Sequence, residues 1–199
     1  MSPAKTSKTV GIIGLGIMGG SFSRNLLASG WRVVGFDTDP RKRKELAKAG
    51  VEIVDSARAV AAAAPIVITS LPKSEALAAT AKEIAKAKLA PRIIAECSTF
   101  TIEDKERTEK VLRAAGHVML DCPVSGTGSQ ARAGDLVIYA SGDRKSVAKI
   151  KPVFAGFSRK LYDVGAFGNG SKMKYVANLL VALNNVASAA AMVMCIKSG

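Results

Sequence analysis

The sequence lacks three features that would place it in other classes of protein. Its 199 residues include only 3 cysteines (Cys97, Cys122 and Cys195), too few and too widely spaced for a disulfide framework or a zinc cluster. Residues 1–9 contain no apolar core and do not predict a secretory signal. Low-complexity runs are absent, and a hydrophobic content of 48% excludes a disordered chain. We therefore expect a folded protein of the reducing cytoplasm.

Acidic residues are scarce relative to basic ones. The chain has 29 Lys and Arg against 16 Asp and Glu, a net charge of +13, and the excess is spread along its whole length. A charge of this size is compatible with nucleic acid, an anionic membrane surface or an acidic small ligand. The densest basic run, residues 41–44, has two interpretations. It is either the solvated face of a helix or a contact for phosphate or nucleic acid.

Short apolar segments alternate with amphipathic ones along most of the chain. The apolar segments predict buried strands at residues 10–13, 32–36, 51–54, 66–69, 92–96, 118–121, 136–140 and 160–164. The amphipathic segments, several of which end at glycine, predict helices at residues 18–28, 41–49, 74–88, 102–115 and 145–157. This alternation predicts an α/β fold with a doubly wound, mostly parallel sheet over residues 1–168.

The last part of the chain has a different composition. Residues 171–197 contain neither glycine nor proline and predict one apolar helix about 40 Å long, at ~1.5 Å per residue. Asn178, Asn184, Asn185 and Ser188 interrupt it, which disfavours a membrane span because unpaired amides are costly in a bilayer. We expect residues 169–199 to form an interdomain or interface helix whose covering partner is not in this sequence.

A glycine-rich turn follows the first predicted strand and opens a helix. Its six residues, a GxGxxG motif, are Gly14, Leu15, Gly16, Ile17, Met18 and Gly19. In this context the first glycine permits the tight turn, the second lets a pyrophosphate approach the backbone, and the third lets the helix pack on the strand. The helix N-terminus offers free N–H groups to the phosphates. The motif predicts a dinucleotide-binding site.

Asp37 ends the second predicted strand, 23 residues after Gly14. A carboxylate there can accept hydrogen bonds from a ribose 2′-hydroxyl and repel a 2′-phosphate, which favours NAD over NADP. Asp39 competes for this role, and Arg41 or Arg43 could reach a phosphate, so NADP stays open. The alternative for Asp37 is a plain turn residue.

Two later segments carry polar residues suited to chemistry. The Gly-rich segment around Ser125, Gly126 and Thr127 follows a strand and suits a carboxylate, although an ordinary loop would look the same. Lys174 and Asn178 are four residues apart and therefore share one face of the long helix. Crowding by Lys172 and by the apolar helix would disfavour the charged form of Lys174 and make it a proton-exchanging group. The alternative for Lys174 is a solvated surface charge.

Taken together, these segments resemble the β-hydroxyacid dehydrogenases. The family includes 3-hydroxyisobutyrate dehydrogenase, tartronate semialdehyde and glyoxylate reductases and, more distantly, 6-phosphogluconate dehydrogenase, whose NAD-binding domain is Rossmann-like. VGIIGLGIMG resembles the cofactor signature of the family, DCPVSGTGSQARAG the substrate signature DxPVSGGxxxAxxG, and GNGSKMKYVAN the catalytic signature GxGxxxKxxxN. The resemblance covers essentially the whole chain.

The resemblance implies an NAD(P)-dependent oxidoreductase acting on a small 3-hydroxy acid or semialdehyde. Lys174 would be the acid/base and Asn178 would orient the reacting group. Ser125 and Gly126 would hold the substrate carboxylate, with Thr127 beside them. The further residues implied to face the cofactor are Leu71, Pro72 and Thr99. The resemblance also implies a homo-oligomer, a dimer or tetramer, and requires no metal.

The sequence departs from the family at two points. Thr127 replaces the second glycine of PVSGG, which leaves the substrate open. The all-helical C-terminal domain of the family is absent after the long helix, so we expect these residues to be part of a longer protein. The alternative functions are an imine reductase, which usually lacks the lysine, a nucleic-acid-associated relative without activity, and a cofactor-binding module without chemistry.

Overall fold

The computed structural model describes residues 8–199 and contains two β-sheets. The larger sheet has six strands: β1 (Thr9–Ile13), β2 (Arg32–Phe36), β3 (Glu52–Ile53), β4 (Ile66–Thr69), β5 (Ile93–Glu96) and β6 (Val118–Asp121). All of them are parallel, in the order β3-β2-β1-β4-β5-β6. The order reverses beside β1, the switch point at which such sheets bind ligands. The predicted doubly wound fold is confirmed. The prediction that residues 1–9 hold no secretory signal concerns mostly residues outside the described part of the chain.

A smaller sheet carries the last three strands. These are β7 (Val124–Ser125), antiparallel to β8 (Val137–Ala140), and β9 (Lys160–Asp163), parallel to β8. The sequence did not predict β7, because two residues give no periodic pattern. The prediction of a buried strand at 160–164 is wrong, since β9 is a largely exposed edge strand. An antiparallel bridge between Asp121 and Ser141 joins the two sheets.

Eight helices surround the sheets in the described chain. They are α1 (Ile17–Ala28), α2 (Pro40–Lys48), α3 (Ala57–Ala63), α4 (Ser74–Ala85), α5 (Ile102–Ala114), α6 (Gly128–Arg132), α7 (Arg144–Phe154) and α8 (Asn169–Lys197). Two buried apolar clusters form the core, one including Phe22 and Phe154 and the other including Leu77 and Leu112. The sequence missed α3 and α6, which have seven and five residues and too few turns to show an amphipathic pattern.

Helix α8 is uncovered beyond its first turn. Its only buried residues are Gly170 and Ser171, and large apolar side chains such as Leu179, Val186 and Ile196 are more than half exposed. By length and composition α8 could cross a membrane, with a mean hydropathy of 2.0 over 18 residues. Nothing within residues 8–199 buries this surface, and a covering domain or subunit stays a prediction.

Candidate functional site

The turn between β1 and α1 requires glycine at two of its three motif positions. Gly14 has a φ of 91°, and a Cβ there would lie 2.1 Å from the carbonyl oxygen of Ser70. A Cβ on Gly19 would lie 1.8 Å from the carbonyl oxygen of Gly14, so the predicted close packing of helix on strand is confirmed. A Cβ on Gly16 would meet only Lys42 Nζ, at 3.8 Å. The backbone at Gly16 therefore stays open to a ligand, as a pyrophosphate site needs.

The first turn of α1 is prepared for an anion. Gly16 is the N-cap, and no side chain in the described chain caps the helix or places a negative charge in its first turn. The N-terminal N–H groups and the helix dipole therefore face this turn without a competing acceptor from a cap. Leu15 is buried in the core, Met18 is partly buried against it, and Ile17 is 73% exposed. Of the three apolar motif residues, only Ile17 presents its side chain to the open side.

Asp37 holds the glycine-rich turn in place. Its Oδ2 accepts a hydrogen bond from the Leu15 N–H at 2.7 Å, and its Oδ1 accepts one from the Asp39 N–H at 2.8 Å. The side chain is almost fully buried, and each of its oxygens accepts a backbone N–H, so the structure gives Asp37 a role in the turn, and the ribose role stays a prediction. Asp39 instead caps α2 by accepting from the Arg41 N–H, and this bond lowers the pKa of its carboxyl group. Asp39 is therefore occupied elsewhere.

The basic run on α2 divides into two pairs. Arg41 and Lys44 point to solvent, in agreement with the solvated interpretation. Arg43 donates to the carbonyl oxygen of Asp37 at 2.6 Å, and Lys42 Nζ lies 3.8 Å from Asp37 Oδ2. Lys42 is thus the cation of the run that sits beside both Asp37 and the turn at Gly16. The phosphate interpretation remains open for this one side chain.

The turns after β4 and β5 lie at the same edge of the sheet as the glycine-rich turn. The Ser70 N–H donates to the carbonyl oxygen of Ile13 at 2.9 Å, and the Leu71 N–H donates to Ser98 Oγ at 2.8 Å. Pro72 and Thr99 follow these positions and are exposed. The structure therefore brings the predicted cofactor-facing residues of four strands to one carboxyl edge.

A cleft of about 370 Å³ brings together the second set of predicted residues. Ser125, Gly126 and Thr127 line it from β7 and the start of α6, and Lys174 and Asn178 line it from α8. The cleft adjoins the glycine-rich turn, because a Cβ on Gly128 in α6 would lie 3.0 Å from Ile17 in α1. Three further polar residues line the cleft, and the sequence did not predict them: Gln130, Asp135 and Arg159. Gln130 lies within the predicted substrate segment, three residues after Thr127, whereas Asp135 and Arg159 belong to no motif and reach the cleft only through folding.

The loop at Ser125 has a fixed shape. Gly126 has a φ of 144°, and a Cβ there would lie 2.5 Å from Leu136, so only glycine fits. Thr127 is the N-cap of α6 in a capping box with Gln130, and its Oγ1 lies 2.8 Å from Ser129 Oγ. The hydroxyl that distinguishes this chain from the PVSGG pattern therefore stabilises α6.

Lys174 lies in the first turns of α8 and is half-buried beside the cleft. Burial lowers the pKa of its ammonium group below the ordinary value of 10.5. The direction agrees with the sequence prediction, but Lys172 is not a cause of the shift. Asn178, one turn further along, is exposed at the cleft.

Metal ligands are not grouped anywhere in residues 8–199: no three His, Cys, Asp or Glu side chains are arranged to hold an ion. His117, the single histidine, is buried away from the cleft and accepts a hydrogen bond from the Arg92 N–H at 3.2 Å. Burial and the neighbouring Arg92 lower the pKa of its imidazole.

Comparison with known proteins agrees with this geometry. Residues 9–165 match the family model of the NAD binding domain of 6-phosphogluconate dehydrogenase. The chain is 31% identical to 3-hydroxyisobutyrate dehydrogenase of Pseudomonas aeruginosa and 32% identical to the NAD-dependent L-serine dehydrogenase of the same organism, over 96% of this chain in each case. The solved structure of 3-hydroxyisobutyrate dehydrogenase from Mycobacterium tuberculosis with L-serine superimposes with a TM-score of 0.92 at 31% identity, covering 98% of this chain and 67% of that one.

The chain spans 65% of the length of the two curated relatives. Within that span the fold, the order of the strands and the glycine-rich turn are those of an NAD(P)-binding domain. The chain therefore belongs to the β-hydroxyacid dehydrogenase family, with an NAD-binding domain of the 6-phosphogluconate dehydrogenase type.

Proposed function

We propose that this chain is the cofactor-binding part of an oxidoreductase that interconverts a small 3-hydroxy acid and its semialdehyde. The observation that carries the proposal is the cleft in which Lys174 faces the loop at Ser125, next to the glycine-rich turn. This chemistry requires three parts close together: a group that exchanges a proton, a loop that binds the substrate carboxylate, and a turn that binds the dinucleotide.

Each residue that the sequence predicted for the cleft has one role in this proposal. Neutral Lys174 removes the hydroxyl proton during oxidation, and its ammonium form returns one during reduction. A lowered pKa makes the neutral form more available near neutral pH. Asn178 orients the reacting oxygen, and Ser125 with the Gly126 backbone binds the carboxylate, with Thr127 fixing the loop. The nicotinamide, when bound, accepts or supplies the hydride.

Cofactor residues are proposed on the same basis. Gly14, Gly16 and Gly19 with the first turn of α1 would hold the pyrophosphate. Leu71, Pro72 and Thr99 would line the path of the nicotinamide half. Asp37 would bind the ribose hydroxyls and favour NAD, while Lys42 beside it leaves NADP binding available. Substrates of the relatives, named as 3-hydroxyisobutyrate and L-serine, are small 3-hydroxy carboxylates and support the proposed substrate class.

The remaining alternatives fit the residues less well. An imine reductase would not need Lys174 at the cleft, and a protein without chemistry would not need the Ser125 loop and Lys174 together. For nucleic acid, the basic run offers too little, because two of its four cations engage Asp37 or its carbonyl group. We propose that the unit of residues 1–168 is followed by α8 as an interdomain helix that packs on protein rather than lipid. The proposed whole enzyme is a cytoplasmic homo-oligomer.

Turnover measurements test the proposal on the whole polypeptide that the source gene encodes. It is screened over 3-hydroxy acids with NAD and with NADP, and the Lys174→Ala variant is compared with Lys172→Ala, a change at an exposed neighbour outside the cleft. We expect Lys174→Ala to lower turnover at least about a hundredfold, since a positioned acid/base contributes that much or more. NADH binding, followed by fluorescence, should stay nearly unchanged in both variants. A fully active Lys174→Ala protein would contradict the assignment.

A further inference from the structure

Two carboxylates face each other at the carboxyl edge of the large sheet. Glu96 ends β5, Asp121 ends β6, and the strand register pairs them directly. Both side chains are fully buried, and so is Lys105 on α5, whose Nζ lies 2.7 Å from Glu96 Oε2 and 2.8 Å from Asp121 Oδ1. None of the three lines the cleft at Lys174. The proposed chemistry leaves this buried charge group without a role.

One side of the group is bonded to the start of α8. Asp121 accepts from the Ser171 N–H at 2.8 Å and from Ser171 Oγ at 2.9 Å. Ser141 Oγ links Asp121 to the Gly170 N–H. One ammonium cannot neutralise two carboxylates, and the positive end of the α8 dipole supplies part of the difference. The first turn of α8 is therefore held by hydrogen bonds to Asp121, directly from Ser171 and through Ser141 from Gly170.

The other side of the group is bonded to the cofactor-facing turns. Lys105 Nζ donates to the carbonyl oxygen of Ser98 at 2.7 Å, and the Ser98 N–H donates to Glu96 Oε1 at 2.7 Å. Ser98 Oγ in turn accepts from the Leu71 N–H. Contacts within hydrogen-bond distance thus run without a break from Leu71 to Ser171. We name these six residues the Lys105 network: Leu71, Glu96, Ser98, Lys105, Asp121 and Ser171.

We propose that Lys105 is a positioning residue that holds the cofactor-facing turns and the first turn of α8 at a fixed separation, and thereby places Lys174. The proposal rests on the proposed function, since the position of Lys174 matters only if it acts on a substrate beside the cofactor. Lys174 lies three residues after Ser171, less than one helical turn from the bond to Asp121. Tyr175 adds a second tie from α8, donating from Oη to the carbonyl oxygen of Phe100 at 2.5 Å.

The charge state of the group suits this role. Burial alone would lower the pKa of Lys105, but the two carboxylates outweigh it and raise the pKa above the ordinary value. Lys105 therefore keeps its charge. Burial raises the pKa of Glu96 despite the neighbouring ammonium. Asp121 is the more completely bonded of the two carboxylates, because it accepts from Lys105 and also from the Ser171 N–H and hydroxyl groups on α8.

Three variants of the chain test the proposal. Lys105→Met removes the ammonium and keeps the length of the side chain. Lys110→Met makes the same change at an exposed position of the same helix and serves as the control. Ser171→Ala removes one bond to Asp121 without changing any charge. Two properties of the free protein are measured: amide hydrogen exchange at Leu71 and Ser171, and the titration of Lys174 by NMR of isotopically methylated lysines, assigned with Lys174→Ala.

We expect exchange at both amides to become about tenfold faster or more in Lys105→Met and less so in Ser171→Ala. The midpoint of the Lys174 titration should move upward in both, because a loosened first turn exposes its ammonium to water and relieves the burial that lowers its pKa. Lys110→Met should change neither property. In the active whole protein, the alkaline midpoint of the pH–rate profile should move upward together with the Lys174 titration. A loss of folded protein would lower the rate at every pH without moving this midpoint.

Comparing Lys105→Met with Ser171→Ala distinguishes positioning of Lys174 from a purely electrostatic effect on its pKa. A shift in Lys105→Met with none in Ser171→Ala would mean that Lys105 acts on Lys174 by charge alone, and would overturn the proposal. Unchanged exchange at Leu71 in both variants would overturn it as well. If Lys105→Met does not fold, Ser171→Ala decides alone. Neither hydrogen exchange nor the Lys174 titration depends on turnover. If the whole protein is inactive but the variants still change exchange at Leu71 and Ser171 as expected, the proposed function is refuted and the positioning role of Lys105 is supported.

Discussion

Replacing Asp37 with alanine separates its role in the glycine-rich turn from its proposed role in cofactor choice. The carboxylate accepts from the N–H groups of Leu15 and Asp39. Leu15 is 2% exposed, so water has little access to its N–H once the acceptor is gone. A buried donor left unsatisfied costs about 1–3 kcal/mol, whereas the half-buried Asp39 N–H can bond to water. We expect Asp37→Ala to lower the free energy of unfolding by about 1–3 kcal/mol.

The same change should alter the preference between the two cofactors. A hydrogen bond from a ribose hydroxyl to a carboxylate contributes about 1.5–3 kcal/mol, which corresponds to roughly 10- to 150-fold in NADH affinity. NADPH gains instead, because the negative charge that repels its 2′-phosphate is gone and Lys42 Nζ, now 3.8 Å from Asp37 Oδ2, is free to pair with the phosphate. The ratio of the NADPH Kd to the NADH Kd should fall at least about tenfold.

Urea unfolding followed by circular dichroism measures the first effect, and fluorescence titration with each cofactor measures the second. Asp55→Ala, at an exposed carboxylate, is the control for a lost negative charge. Asp37→Asn is the intermediate case: one amide oxygen remains as an acceptor, so stability should fall less than in Asp37→Ala. A loss of stability with an unchanged Kd ratio would show that Asp37 serves only the turn. A ratio that moved toward NADH would refute the ribose role outright.

Three further predictions concern the Lys174 base, the glycine-rich turn and the net charge of the chain. Because burial lowers the pKa of Lys174, the rate of oxidation should rise with pH as the neutral base forms, with a midpoint below 10.5; a pH–rate profile of kcat/KM that matches an ordinary lysine would contradict this. Gly19→Ala places a Cβ 1.8 Å from the Gly14 carbonyl oxygen and should abolish NADH binding in a fluorescence titration, whereas Gly20→Ala, with 3.3 Å to its nearest neighbour, should retain most of it. If the charge of +13 does not serve DNA, a gel-shift assay at low salt should show no complex, and a complex weakened steeply by salt would revive that alternative.

The parts of the site that depend on local sequence patterns could be predicted from the sequence. The glycine-rich turn was predictable because backbone sterics require glycine at Gly14 and Gly19 whatever surrounds them. The shared face of Lys174 and Asn178 followed from helical spacing. The pairing of these residues with the Ser125 loop came from the family resemblance, because the two segments lie about 50 residues apart and meet only in the folded chain. Arg159 and Asp135 reach the cleft by the same route and have no motif, so they were missed.

Lys105 shows why the remainder could not be predicted. Lys105 shares one face of α5 with Thr108 and Leu112. This face is buried, and the helical spacing alone predicts an uncharged residue there rather than a lysine. The residue makes sense only when the register of β5 and β6 is known, because that register sets Glu96 against Asp121 and creates a demand for a buried cation. Two unpaired carboxylates at that depth would be prohibitive, and a single ammonium between them makes the arrangement tolerable. A lysine on the buried face of α5 contradicts what the helix alone predicts, and the reason lies in the tertiary structure. Lys105 lies where the turns after β4 and β5 meet the helix that carries Lys174.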